Sequence, residues 1–171
     1  MSHYITGVLT EICTPFREGG QIDFEYLHDL IAWQIGCGIE NFFVNGYAGE
    51  KLEVLGCVHE ASQGRAKIMG CSFENDLRAN RRLLDAYEET GMCDCYCVTA
   101  PPFYKFSQAA LYDWTAELID YAKRPVFIYN CREQGVMYAP ETLGKLAREH
   151  KNLRGFKDAS TDIINFQNDL L

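Results

Sequence analysis

The chain has 171 residues, of which 47% are apolar and 23% charged, and these proportions argue against a disordered protein. Its 16 basic and 24 acidic side chains give a formal net charge of -8, which argues against nucleic acid or an anionic membrane surface as main partner. No apolar run approaches the ~18 residues of a membrane span, and no signal peptide is recognisable. We therefore expect one cytoplasmic domain over residues 1–171.

The first half of the chain predicts three strands, each followed by a helix. Asp23 is placed to cap the first helix, which has Leu27, Ile31 and Ile35 on one face. In chain order, the predicted elements are a strand at 5–10, a helix from Asp23 to 36–38, a strand at 39–44, a short weak helix at 52–62, a strand at 66–71 and a helix capped by Asn75 that stops at Gly91.

The second half of the chain predicts three more strands and helices. Ser107 opens an amphipathic helix with Leu111, Trp114 and Leu118 on its apolar side, and Pro140 suits a first helical position. In chain order, the predicted elements are a strand at 95–99, the helix from Ser107, a strand at 125–129, the helix from Pro140, a strand at 153–157 and a helix over 162–171.

The starts of the predicted strands recur about every thirty residues, which is the size of a βα unit. Such alternation predicts a parallel sheet with right-handed crossovers. Two α/β architectures fit: an open doubly wound sheet, or a (β/α)₈ TIM barrel, which needs eight units and ~250 residues. This chain supplies six units, so a barrel formed by it is truncated.

Residues that suit catalysis follow the predicted strands at their carboxyl ends, where both architectures place active sites. Burial of Lys157 in a barrel interior would lower its pKa, and the neutral amine could then form a Schiff base with a ketone. Tyr129, at the end of the preceding strand, could pass a proton to or from the reacting oxygen. The alternatives are a solvated lysine and a core tyrosine whose hydroxyl bonds to a neighbour.

The segment from Gly46 to Glu50 follows the second predicted strand. Backbone N–H groups in a turn with two glycines could bind a carboxylate. An ordinary βα turn is the alternative for this segment. Its sequence is neither G-x-G-x-x-G nor a P-loop, so the chain gives no support for a nucleotide cofactor.

The chain has eight cysteines, and Cys93, Cys95 and Cys97 alternate. In a strand these three would share one face and could bind a soft metal. However, the sequence has no C-x-x-C pair and its histidines are scattered, so buried, reduced, small apolar side chains are the preferred interpretation. We predict no metal site.

Several segments together resemble one enzyme family. The chain is similar to the Schiff-base-forming, pyruvate-dependent aldolases, which include dihydrodipicolinate synthase and N-acetylneuraminate lyase. The matching segments follow the family's order along the whole chain and comprise Gly7-Val8, Thr14-Pro15-Phe16, the Phe-Val-x-Gly-x-x-Gly-Glu stretch at 43–50, Pro102-Phe103-Tyr104 with Ser107-Gln108, Tyr129-Asn130, Pro140-Glu141-Thr142-Leu143 and Gly155-Phe156-Lys157-Asp158.

The resemblance implies a (β/α)₈ barrel that uses no cofactor and in which Lys157 forms the imine with pyruvate or another 2-oxo acid. Tyr129 would be the proton-relay phenol, and Tyr104 would match the aromatic residue that reaches into a neighbouring subunit's relay. Family members are commonly tetramers built from tight dimers, so we expect a homo-oligomer. The carboxylate of the 2-oxo acid would be bound by four loop residues, Gly46, Tyr47, Ala48 and Gly49.

The chain departs from the family pattern in three ways. Tyr47 and Ala48 stand where the family usually has two hydroxyl residues. Arg132 lies in a loop that lacks the usual proline and looks one residue short, so its alignment with the arginine that holds the aldehyde's carboxylate is not clean. The last two strands of a barrel are missing.

These departures leave more than one function open. We predict a lyase that cleaves or forms a C–C bond in a sugar acid or a sialic-acid-like substrate. The alternatives are a condensation of pyruvate with an aldehyde, as in dihydrodipicolinate synthase, and a catalytically impaired relative or fragment that binds a 2-oxo acid.

Overall fold

Strands and helices alternate along the chain. The structure is a computed structural model that describes residues 4–46, 50–102, 105–132 and 135–169. The described strands are β1 (Leu9–Glu11), β2 (Asn41–Val44), β3 (Lys67–Ser72), β4 (Cys95–Thr99), β5 (Val126–Cys131) and β6 (Leu153–Ala159). The described helices are α1 (Phe24–Gly36), α2 (Lys51–Ser62), α3 (Leu77–Thr90), α4 (Gln108–Tyr121), α5 (Pro140–Glu149) and α6 (Ile163–Asp169). The predicted alternation is therefore confirmed.

The described residues divide into two compact units. One contains the residues up to Cys71 together with Ala86–Asp94, and the other contains Ser72–Asp85 together with the residues from Cys95 onward. In the first unit β2 pairs with β1 and β3, and in the second unit β5 pairs with β4 and β6. Every one of these pairs is parallel, as the sequence predicts, and strand order within each unit follows chain order.

Most of the predicted helix starts are confirmed. The side chains of Asp23 and Ser107 accept hydrogen bonds from the backbone N–H groups three residues further on, and Pro140 begins α5. The prediction for Asn75 is wrong, because Asp76 accepts the hydrogen bond from the backbone N–H of Ala79 at 2.8 Å. A cap must directly precede the first helical residue, and Asn75 lies one residue too early.

Several strand boundaries differ from the prediction by one or more residues, and the start of β1 differs most. β1 begins at Leu9 rather than at residue 5, because the Asn41 side chain donates hydrogen bonds to the carbonyls of Thr6 and Val8 at 2.8 and 3.2 Å where a β ladder would otherwise continue. β5 and β6 each run two residues past their predicted ends. Tyr129 and Lys157 therefore lie inside their strands rather than at the last position.

Both units have an apolar core between strands and helices. In the first unit, Leu27 and Ile31 of α1, Leu55 of α2 and the whole of β2 are buried. In the second unit, Val98 of β4 and alternate residues of β5 pack with α4 and α5. The cluster contains Val98, Leu111, Leu118, Ile119, Val126, Ile128, Tyr138, Leu143 and Leu146. Within the described ranges, no helix is long and apolar enough to cross a membrane.

Gln108, the first residue of α4, connects this helix to the segment before α5. Its Nε2 donates to the Met137 carbonyl at 2.8 Å. Its Oε1 accepts from the Ala139 N–H at 2.9 Å and from the Thr142 hydroxyl at 2.8 Å. One side-chain amide thus satisfies three polar groups of the β5–α5 connection and the first turn of α5.

We expect the buried Tyr138 hydroxyl to make the fold sensitive to alkaline pH. It lies 2.7 Å from the Thr115 hydroxyl, and burial raises the pKa of Tyr138. Because the unfolded-state pKa of ~10 is lower, the folded state keeps this proton longer, and its contribution to stability is complete below about pH 10 and is lost as pH rises further. The expected slope is about 1.4 kcal/mol of unfolding free energy per pH unit.

The variant Tyr138→Phe should lack this part of the alkaline loss, although it is less stable at pH 7 because Thr115 loses its partner. Urea unfolding from pH 7 to pH 11 measures both effects. Tyr26→Phe, which changes an exposed tyrosine, is the control. An identical slope in Tyr138→Phe and the unmodified chain would contradict the prediction.

Candidate active site

Tyr129 and Lys157 lie on the face of β5 and β6 that points away from the helices. Val126 and Ile128 of β5 belong to the core beneath α4 and α5, and Phe156 of β6 packs against the same core. Because successive side chains of a strand point to opposite faces, Tyr129 and Lys157 must project from the other side.

The strand register brings these two side chains together. Tyr129 pairs directly with Lys157 in the β5–β6 ladder, and Lys157 Nζ lies 4.1 Å from the centroid of the Tyr129 ring. The tyrosine is only 9% exposed, whereas the lysine is half-buried. An ammonium group over an aromatic face is attracted by the ring quadrupole. The structure thus gives Tyr129 and Lys157 the proximity that their predicted roles require, and the roles themselves remain predictions.

Further residues of the second unit surround Tyr129. The Thr99 hydroxyl donates to the Tyr129 carbonyl at 2.9 Å, and the Trp114 indole N–H donates to the Thr99 carbonyl at 3.3 Å. The Phe73 ring lies 5.7 Å from the Tyr129 ring, centroid to centroid, with an interplanar angle of 31°. Sequence reasoning missed Phe73 and Thr99, because neither lies in a recognisable motif.

The residues that follow the two candidate catalytic side chains form a second contact between the strands. Asn130 pairs with Asp158 in the ladder, and the Asn130 amide N–H₂ donates to the Asp158 carboxylate at 3.2 Å. Asn130 Oδ1 accepts from the Tyr138 N–H at 3.0 Å. The other oxygen of Asp158 accepts from the N–H and the hydroxyl of Ser160, at 2.9 and 2.6 Å.

Most of the predicted substrate-binding residues cannot be placed. Tyr47, Ala48, Gly49 and Tyr104 lie outside the described residues. Gly46 is described, is half-buried and follows Asn45, the first residue after β2. The carboxylate-binding role of this loop therefore stays a prediction.

Asn45 anchors the start of that loop and was not among the predicted site residues. It is 3% exposed and has a left-handed backbone with φ of 69°. Its amide nitrogen donates to the Lys51 carbonyl at 2.7 Å and to the Tyr87 hydroxyl at 3.2 Å, and that hydroxyl donates to the Cys71 carbonyl. The available sequence signal was an asparagine between a strand and a glycine, because asparagine tolerates this conformation.

We expect Asn45→Ala to destabilise the protein by about 3 kcal/mol, since alanine is strained at positive φ and cannot make the side-chain hydrogen bonds of Asn45 to the Lys51 carbonyl and the Tyr87 hydroxyl. Asn45→Gly adopts the conformation freely, loses the same hydrogen bonds and should cost about 1 kcal/mol less. Denaturant unfolding of the two variants measures the difference. A glycine variant that is no more stable than the alanine variant would show that backbone strain is absent.

The structure adds little support for two other sets of candidate residues, Arg132 and the three alternating cysteines. Arg132 is exposed directly after β5, and its role toward an aldehyde stays a prediction. Cys93, Cys95 and Cys97 are buried. Among the residues that the structure describes, no group of three or more His, Cys, Asp or Glu side chains could hold a metal ion.

Comparison with known proteins decides the family. A model of the Dihydrodipicolinate synthetase family matches residues 4–170. The chain belongs to this family. One relative, the 4-hydroxy-tetrahydrodipicolinate synthase of Fervidobacterium nodosum, is 30% identical over 167 residues, which cover 92% of this chain and 56% of the relative. The chain therefore spans little more than half the length of such a family member.

Solved structures of the family show the same fold. Dihydrodipicolinate synthase from Thermotoga maritima superposes with a TM-score of 0.91 and 25% identity, covering 98% of this chain and 59% of that chain. N-acetylneuraminate lyase from Proteus mirabilis superposes with a TM-score of 0.85 and 22% identity, covering 97% and 60%. The predicted fold class, six βα units of a truncated (β/α)₈ barrel, is thereby confirmed, and the open doubly wound sheet is excluded.

Proposed function

We propose that this chain provides the imine-forming lysine of a lyase or aldolase that acts on pyruvate or a related 2-oxo acid. The observation that carries the proposal is the direct pairing of Lys157 with Tyr129 on the face of β5 and β6 away from the helices. Membership of a family whose relatives include synthases and a lyase supports the same class of reaction.

In the proposed reaction the neutral amine of Lys157 attacks the ketone carbon of the 2-oxo acid, and the former carbonyl oxygen leaves as water. The Tyr129 hydroxyl gives a proton to that oxygen and is then reprotonated. When a C–C bond is to form, the proton comes from the carbon next to the imine and is passed on to the aldehyde oxygen. When a C–C bond is to break, the proton comes from the substrate hydroxyl that becomes the aldehyde and is passed on to the carbon next to the imine. The protonated imine withdraws electrons, so the bond at the neighbouring carbon can form or break. Hydrolysis of the imine then releases the product and restores the amine.

Backbone N–H groups of the loop that begins at Gly46 are proposed to bind the carboxylate of the 2-oxo acid. The hydrogen bonds of Asn45 to Lys51 and Tyr87 support this part of the proposal, because they hold the point where the loop leaves β2. The side chains at Tyr47 and Ala48 replace the two family hydroxyls, so recognition would depend on the backbone.

Two observations favour different second substrates. The loop after β5, which contains Arg132 and lacks the proline usual in the synthases, favours a sugar acid or a sialic-acid-like substrate that is cleaved or formed at a C–C bond. The names of the curated relatives, among them the Fervidobacterium nodosum synthase, favour condensation of pyruvate with an aldehyde. Two assays of pyruvate separate the two reactions. Release of pyruvate from N-acetylneuraminate would indicate the lyase, and loss of pyruvate in the presence of a carboxylated aldehyde would indicate the condensation.

The assembly is also a proposal. We propose a homo-oligomer, with a tetramer as the form that the family resemblance suggests. Sedimentation of the purified chain measures its mass in solution. A monomer at all concentrations would contradict this part of the proposal.

Borohydride trapping tests the imine. The purified chain is incubated with pyruvate and borohydride, and peptide mapping locates any reduced adduct. We expect one adduct per chain, on Lys157. A chain that circular dichroism shows to be folded, and that gives no adduct with pyruvate or other 2-oxo acids, would contradict the proposal and favour a catalytically impaired relative.

A further inference from the structure

We propose that Asn130 and Asp158 are positioning residues that hold the Tyr129 ring and Lys157 Nζ at their working separation. The inference rests on the proposed function, because it explains how that candidate pair is kept in place. Neither side chain lies on the face where imine chemistry would occur, since each directly follows a residue that does.

The β5–β6 ladder has an irregular register shortly before Tyr129 and Lys157. The pairing shifts between Val126 and Phe127, where Val126 is opposite Leu153 but Phe127 is opposite Gly155. At such an irregularity two residues of one strand oppose one residue of the other, and the ladder is locally disrupted. The pairs from Phe127–Gly155 to Cys131–Ala159 then keep a single register. A one-residue slip beyond this point would move Lys157 to the opposite face from Tyr129.

The hydrogen bonds of Asn130 and Asp158 oppose a change of register between β5 and β6. Asn130 is 0% exposed, so its amide cannot exchange its protein partners for water. Its two ends bind the Tyr138 N–H and the Asp158 carboxylate, and the second oxygen of Asp158 binds Ser160. Sliding one strand along the other would separate these partners and leave buried polar groups unsatisfied, which is strongly unfavourable.

The donors and acceptors of this network predict a specific rescue. Asn130→Asp sets two carboxylates against each other. In Asp158→Asn, one of the two accepting oxygens becomes an N–H₂ donor. This donor must face either the N–H₂ group of Asn130 or the N–H and hydroxyl of Ser160, and in both cases donor meets donor. The double variant Asn130→Asp/Asp158→Asn restores every pair. Its carboxylate on β5 accepts from the Tyr138 N–H and from the new amide on β6, and the oxygen of that amide accepts from Ser160.

Two measurements follow the geometry. The first is the rate of borohydride trapping with pyruvate, for which we expect about a 100-fold loss in each single variant and recovery of most of the loss in the double variant. The second is the chemical shift of [¹³Cε]lysine at position 157, which the Tyr129 ring current displaces. The ring-current displacement of this signal should be lost in the single variants and restored in the double variant.

A matched control lies at the other end of the same strands. Asn152 precedes β6, and its amide donates to three carbonyls, those of Ile119, Ala122 and Arg124. Asn152→Asp makes the same chemical change as Asn130→Asp, but it should leave the Lys157 shift unchanged. An equal effect of both substitutions would overturn the inference, because it would reveal a general loss of stability.

The remaining outcomes also decide the question. If the single variants do not fold, a double variant that folds with the original Lys157 shift supports the inference, and one that does not overturns it. Single variants that fold with an unchanged shift overturn it as well. If the unmodified chain forms no adduct, the proposed function fails, while the shift measurements still judge the positioning role.

Discussion

Replacing Lys157 by arginine should abolish the reduced pyruvate adduct and lower turnover by a factor on the order of 10⁴ or more. Arginine keeps the positive charge and can stay over the Tyr129 ring, so the local packing is largely preserved. Its guanidinium cannot be deprotonated in a protein and therefore cannot attack a ketone. The substitution thus removes the nucleophile with little change in charge or size.

Lys151→Arg is the matched control, because Lys151 is an exposed lysine in the turn before β6. It should trap pyruvate at the rate of the unmodified chain. Intact mass after borohydride reduction measures both variants in one experiment. An adduct that persists in Lys157→Arg, on any other lysine, would mean that the imine forms elsewhere.

Tyr129→Phe should lower turnover by about 10²- to 10⁴-fold, the usual contribution of a positioned proton donor. Phenylalanine keeps the ring beneath Lys157 and beside Phe73. It also keeps the hydrogen bond from Thr99, because that bond uses the backbone carbonyl of residue 129. The variant therefore isolates the hydroxyl group.

The rate of imine formation with pyruvate, measured under single-turnover conditions, tests this prediction. We expect slow formation of a normal adduct rather than its complete loss, since Lys157 is unchanged. Tyr121→Phe, which alters an exposed tyrosine at the end of α4, should leave the rate unchanged. A rate in Tyr129→Phe equal to that of the unmodified chain would remove Tyr129 from the proton relay.

The sequence predicts the fold well, because the fold depends on local patterns. Apolar β segments alternate with capped amphipathic helices, and each βα unit repeats the same spacing. The boundary errors have specific causes. A side-chain amide, that of Asn41, replaces the ladder before Leu9, and Asp76 lies one residue closer to its helix than Asn75.

The candidate site was only partly predictable. Tyr129 and Lys157 could be chosen because they belong to recognisable motifs, 28 residues apart. The partners of these residues depend on register and on contacts between distant segments, which no local pattern records. Asn45 is such a case, since its role depends on Tyr87, which lies 42 residues further along the chain.

The Gln108 amide, with its three partners, has a consequence for how the protein opens. Because it joins the first turn of α4 to Met137, Ala139 and Thr142, neither the helix end nor this connection can fray without releasing the other. The two should therefore exchange their amide hydrogens as one cooperative segment. Proteolytic cleavage between β5 and α5 and cleavage at the start of α4 should therefore depend on the same opening event.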